Sequence, residues 1–156
     1  MSNARDRPPP LNHTVSAQMQ RMPRASTGPE ILIRRELHRR GLRYRVNYAR
    51  LPGRPDIAFI SAQVAVFVDG CFWHSCPEHA VMPRNNREWW REKLARNVTR
   101  DREKDEQLDM LGWVTLHVWE HDDPVRAADA IEELWRSRRA DRRRAGSGRA
   151  AQPDGV

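Results

Sequence analysis

The sequence predicts an α/β domain, a central mixed β-sheet flanked by helices. Two observations carry that expectation. Segments with helical and strand periodicity follow one another in the order helix, three strands, helix, strand, helix. The chain has 156 residues, 38% of them hydrophobic, which is one domain's worth of sequence around a single modest core.

The first helix begins near Thr27, where Thr27 and Glu30 are spaced as a capping box; Ile33 and Leu37 share a face and Gly41 stops it. Tyr44, Val46 and Tyr48 alternate as a half-buried strand. Residues 51–55 form a Pro- and Gly-containing turn, and Asp56 opens a strand through Ile57, Ala58, Phe59 and Ile60. Ser61 and Ala62 then turn the chain into residues 63–69, an apolar run that reads as a buried strand ending in Asp69. A long charged helix over about residues 86–111 carries Trp89, Trp90, Leu94, Val98, Leu108 and Leu111, with Gly112 as its stop. Val114, Leu116 and Val118 alternate as a further strand. A last helix over about residues 124–139 turns Ala128, Ile131, Leu134 and Trp135 inward. Residues 1–25 are polar and Pro-rich and read as a flexible arm; residues 140–156 read as a disordered basic tail, leaving 26–139 as the folded domain.

Lys and Arg number 28 against 21 Asp and Glu, a formal net charge of +7. That excess favours a polyanionic partner, most commonly nucleic acid, against the plainer reading of a basic surface kept for solubility. No apolar run approaches the ~20 residues of a membrane span, and no secretory segment is visible. The expectation is a cytoplasmic, nucleoid-associated monomer with no membrane partner.

Chemistry is concentrated in residues 70–79, Gly-Cys-Phe-Trp-His-Ser-Cys-Pro-Glu-His. They hold both cysteines of the chain and two of its six histidines beside an adjacent Phe-Trp pair. Two cysteines five residues apart among histidines point to metal ligation rather than a disulfide. The local set Cys71, His74, Cys76 and His79 would by itself complete a tetrahedral zinc site. Upstream, Asp56 and Asp69 lie at the ends of neighbouring predicted strands, where two carboxylates can share one Mg²⁺ ion. Against this, an Asp after Pro is ordinary turn chemistry.

Several blocks together resemble the very short patch repair (Vsr) DNA mismatch endonucleases. They are Leu51-Pro-Gly-Arg-Pro-Asp56, Val68-Asp-Gly-Cys-Phe-Trp-His74, Cys76-Pro-Glu-His79, Trp90 to Lys93, Asn97, Arg100-Asp101, Leu111-Gly-Trp113 and Trp119-Glu120. The similarity covers roughly residues 19 to 122, and its Pro-Asp element is shared with the wider PD-(D/E)xK, restriction-endonuclease-like fold. The resemblance implies a Mg²⁺-dependent nick on the 5′ side of the thymine in T:G mispairs, which arise when 5-methylcytosine deaminates. It also implies a structural Zn²⁺. The expected partners are double-stranded DNA carrying such a mispair and, functionally, a cytosine-5 DNA methyltransferase and mismatch-repair proteins.

Residue by residue, the resemblance makes Asp56 the Mg²⁺-binding carboxylate and gives the metal the backbone carbonyl of Val68. His74 becomes the histidine that activates the attacking water. Glu30 and Asp101 match acids that support the site through water on the metal or by orienting His74. From the residues alone, Glu30 is as well explained by the capping box, and Asp101 by a solvated helix face. Asp69 falls where the wider fold places its second acid, a position some relatives fill with histidine. The lysine of the general nuclease motif would fall at Cys71, which carries no positive charge; the resemblance implies that His74 takes over the work. An imidazole can accept a proton near neutral pH.

For zinc, the resemblance implies Cys71, Cys76 and His79 with a fourth ligand just after the Trp-Glu pair, at His121. His74 is then left for catalysis. His13, His38 and His117 read as ordinary surface or core residues. Phe72, Trp73 and Trp90 could be core aromatics, but their counterparts form a wedge that enters the base stack beside the mismatch, joined by an arm residue at the place of Met19. A mispaired step costs less to open, which gives a wedge its selectivity. Trp89, Trp113, Trp119 and Trp135 read as framework. Arg24, Arg54, Lys93 and Arg100 are candidate phosphate contacts, although a solvated face explains each of them as well. Two rivals stand beside the mismatch endonuclease: a restriction-type PD-(D/E)xK nuclease and a non-catalytic, zinc-stabilised DNA-binding module.

Overall fold

A computed structural model describes residues 27–148; Met19, Arg24, the remainder of the arm and the last residues of the tail lie outside them. The elements are α1 (Gly28–Arg39), β1 (Arg45–Val46), β2 (Ile57–Phe59), β3 (Val64–Asp69), α2 (Arg87–Met110), β4 (Val114–Trp119) and α3 (Pro124–Gly148). The strands form one mixed sheet in the order β1-β2-β3-β4. β1, β2 and β3 pair antiparallel in chain order, whereas β4 returns by way of α2 and lies parallel to β3. A long helix between parallel neighbours is what a crossover of this kind requires. Among the described residues, no helix is long and apolar enough to cross a membrane.

Alternation along β3 and β4 sorts their side chains onto two faces. Val64, Val66 and Val118 pack with Ile33, Leu37, Phe59, Ala128 and Ile131, so α1 and α3 cover one side of the sheet. Ala65 joins Ala58, Leu108 and Trp113 on the other, with Phe67 half-buried against them. That second face is the one α2 covers, and it bears Asp69 at its end. The pairing Phe67↔His117 and Asp69↔Trp119 brings the C-terminal ends of β3 and β4 together.

Three details depart from the sequence reading. β1 is only two residues long and exposed, because Asn47 turns to φ 46° and ends it. The hairpin continues beyond it through the bonds from Asn47 N–H to the Asp56 carbonyl and from Tyr48 N–H to the Pro55 carbonyl. Thr27 is the N-cap of α1 but makes no side-chain capping bond, so the capping box does not form; Glu30 is instead 3% exposed and paired with Arg34 at 3.0 Å. The final helix does not end near Arg139 but runs to Gly148, which makes residues 140–148 helical rather than disordered. Arg and Ala are strong helix formers, and Arg138 and Arg142 tie this face to the Gly112 carbonyl and the Gln63 side chain.

Candidate active site and metal cluster

The end of β3 opens onto a cavity of about 310 Å³ lined by Glu30, Asp56, Val68, Asp69, His74 and Asp101, together with Lys104, Asp105 and His117. Asp56 stands at the entry to β2, one residue before the ladder begins. Its Oδ2 accepts the Val68 N–H at 2.7 Å, which fixes the carboxylate beside the β3 backbone. In the parallel ladder the Asp69 carbonyl accepts the Glu120 N–H, so the backbone groups of Val68 face the opposite side, toward Asp56. Burial pushes the Asp56 carboxyl up to about 6, with the nearby charges of Glu30 and Asp69 adding to the effect. Glu30 and Asp69, both almost wholly buried, line the same pocket as Asp56, and such a group of carboxylates suits a divalent cation. Asp56 with the Val68 carbonyl fits such an ion.

His74 follows in the loop after β3, whose backbone closes through the His74 N–H on the Gly70 carbonyl and the Cys76 N–H on the Cys71 carbonyl. α2 fixes the loop from above, with Asn97 Nδ2 donating to the Trp73 carbonyl at 3.3 Å. His74 Nδ1 lies 2.6 Å from Asp101 Oδ2 and 3.9 Å from Asp69 Oδ1. A ring N–H donated to Asp101 leaves Nε2 as the basic nitrogen, the tautomer a general base needs. An acid–imidazole pair facing a carboxylate pocket can take a proton from water and hold the resulting charge.

On the outer side of the same loop, Cys71, Cys76, His79 and His121 bring one ligand atom each to within 4.8 Å of one another. Cys71 Sγ is 3.1 Å from His121 Nδ1, and Cys76 Sγ is 3.8 Å from His79 Nδ1 and 3.9 Å from His121 Nδ1. Tetrahedral zinc bonds of ordinary length separate S and N ligands by about 3.6 Å, so the donor set and its spacing fit Zn²⁺. Burial pushes the Cys71 thiol up to about 11, with further contributions from Cys76 and Glu120. Cys76, although burial opposes it, is drawn below the usual thiol value by the Glu78 and His79 backbone and the His79 ring. A metal would deprotonate both. His74 stands outside this group of four.

The aromatic residues cluster on the remaining side of the loop. Phe72 lies edge-on to both Trp73 and Trp90, with ring centroids 5.0 and 5.3 Å away. Trp89 packs edge-on to Trp90, and Lys93 Nζ lies 4.9 Å from the Trp89 centroid. Phe72, Trp73 and Trp90 are half-buried rather than core. Arg54 is exposed at the mouth of the cavity, donating to the Asn47 carbonyl, and Arg100 is exposed on α2.

His117 corrects the sequence reading, which had it as an ordinary residue. It lies in the cavity wall between Asp69 and Asp105. The available signal was its parity on β4. Residues alternating with Val114, Leu116 and Val118 face the same side as Phe67 and Asp69, where a polar side chain has chemistry to meet. Asp105 and Lys104 on α2 carried no signal beyond a charged helix.

A mixed α/β sheet that delivers carboxylates and an oriented imidazole to one strand end, next to a cysteine–histidine cluster, is an arrangement suited to metal-assisted hydrolysis. Comparison with known proteins makes this specific. Residues 12–79 match the family model described as DNA mismatch endonuclease Vsr. The chain is 43% identical over 129 residues to the type II nicking enzyme V.NaeI of Lentzea aerocolonigenes, covering 80% of this chain and 78% of that one. It is 40% identical to the type II nicking enzyme V.NmeAIP of Neisseria meningitidis over 60% of this chain and 68% of that one. It is 38% identical to the DNA mismatch endonuclease Vsr of Escherichia coli K12 over 69% of each chain. The chain belongs to the Vsr DNA endonuclease family.

Proposed function

We propose that this chain is a strand-specific mismatch endonuclease that nicks duplex DNA on the 5′ side of the thymine in a T:G mispair. The observation that carries this is the His74–Asp101 pair facing the Asp56 carboxylate across one pocket, with Phe72 and Trp73 in the same loop and Trp90 packed against them from α2. Asp56 and the Val68 carbonyl would hold a Mg²⁺ ion. That ion, when bound, supplies Lewis acidity to the scissile phosphate. Asp101 holds the His74 ring so that Nε2 accepts the proton of the attacking water. Glu30, close to Asp56, adds negative charge that favours the cation. The aromatic group enters the base stack, and a mispaired step yields to it more readily than a paired one. A zinc ion in the outer cluster would tie the end of β4 to the His74 loop, so that its binding energy supports the loop geometry. A functional link to a cytosine-5 DNA methyltransferase follows from the substrate, since deaminated 5-methylcytosine is thymine opposite guanine.

Support for a single-strand cut comes from relatives named nicking enzymes. A binding module has no use for the oriented imidazole, which weighs against the non-catalytic rival. The test uses end-labelled duplexes carrying T:G or T:A at one site, incubated with the protein and Mg²⁺. A nick confined to the T strand of the mispaired duplex is expected. Equal cutting of both duplexes, or binding with no cutting, rejects the reading.

A further inference from the structure

The pocket holds a second imidazole that the mechanism above does not use. His117 enters from β4, and its ring stacks on Phe67, with centroids 5.1 Å apart and 15° between the planes. Its Nδ1 lies 2.7 Å from Asp69 Oδ2, and its Nε2 lies 2.9 and 3.0 Å from the two Asp105 oxygens. An ionised carboxylate only accepts hydrogen bonds, so each contact requires an N–H on the ring. A neutral imidazole has one such group; only the imidazolium has two. Burial opposes that charge, but the hydrogen bonds and charges of Asp69 and Asp105 outweigh it and raise His117 to about 9.

Asp69 needs this partner. It is 7% exposed, and a buried carboxylate without a counter-charge is costly. β3 offers it none, because the residue two positions on is Cys71. The other oxygen, Oδ1, lies 3.9 Å from His74 Nδ1, the nitrogen that Asp101 engages at 2.6 Å. Asp69 thus stands between two rings, and the one that holds it decides whether it competes for the other.

We propose that His117 is a fixed cation on the β4 side of this pocket, a positioning residue that holds the Asp69 carboxylate and thereby leaves His74 Nδ1 to Asp101. With both ring nitrogens engaged, His117 neither takes a proton from water nor touches the phosphate. It supplies from β4 the positive charge that the end of β3 lacks. The proposal rests on the endonuclease reading for its kinetic consequence only; the charge state belongs to the folded protein whatever reaction it performs.

Two measurements test it. Proton–nitrogen NMR of the ¹⁵N-labelled full chain with zinc, at pH 7.5, should show both His117 ring nitrogens protonated; a neutral tautomer overturns the proposal. His117→Gln retains a donor for Asp69 but no charge, and His117→Lys restores charge. With the T:G duplex, kcat should fall roughly 10- to 100-fold in His117→Gln, as for residues that orient catalytic groups, with KM unchanged and partial recovery in His117→Lys. Full kcat in His117→Gln, or a loss confined to KM, overturns the proposal. If the variants do not fold, or if the protein cuts no DNA, the NMR result decides alone.

Discussion

His74 Nδ1 and Asp101 Oδ2 lie 2.6 Å apart, joining the loop after β3 to the middle of α2. This contact makes a surface histidine a directed one. Asp101→Asn removes the charge while keeping the shape, so the ring loses its enforced tautomer. Nicking should slow roughly 10- to 100-fold with little change in DNA affinity. Single-turnover rates set against binding isotherms check this, and an unchanged rate would show that Asp101 is only a solvated helix charge.

Removing His121 should act on the metal rather than on the chemistry. His121→Ala leaves three ligands, so bound zinc should be lost and the thermal midpoint should fall, since metal binding contributes to folding stability. His74→Ala should keep its zinc and its midpoint while losing activity. Metal analysis of the two purified variants separates the roles, and zinc loss from His74→Ala would make His74 a ligand.

Proton and metal should compete at Asp56. Its carboxyl sits at about 6 in the folded chain, above the value of 3.8 for a free carboxyl. The folded state therefore holds its proton more tightly than the unfolded chain. Without a divalent ion, that contribution to stability is complete below pH 3.8 and disappears as pH rises through about 6. With Mg²⁺ or Mn²⁺ the order reverses, because ion binding must displace the proton. Calorimetric titration should show affinity rising between pH 5 and 7, with proton release at the low end. Asp56→Asn should abolish both trends.

The aromatic cluster should govern selectivity more than folding. Phe72 and Trp73 lie in a loop and are half-buried, so replacing both with Ala should leave the fold intact. Discrimination between T:G and T:A duplexes should fall, as should the fluorescence rise of 2-aminopurine placed beside the mispair. Preserved unstacking in the double variant would place the wedge elsewhere.

The element order, the alternation of the strands and the crowding of ligands into residues 70–79 are local properties, and the sequence alone determined them. Periodicity of 2 or 3.6 depends only on neighbours along the chain. It missed where α3 ends and where β1 stops, since those depend on contacts made by Arg138 and Arg142 and on the left-handed turn at Asn47. The site's pairings were decided by the tertiary structure. Asp101 meets His74 across 27 residues, His117 meets Asp69 across 48 and His121 meets Cys71 across 50. Those separations are set by the β3–α2–β4 crossover, whose parallel return places the end of β4 beside the end of β3. Until that return is made, His117 is one polar residue on an alternating strand. Once it is made, two carboxylates bracket its ring and fix its charge.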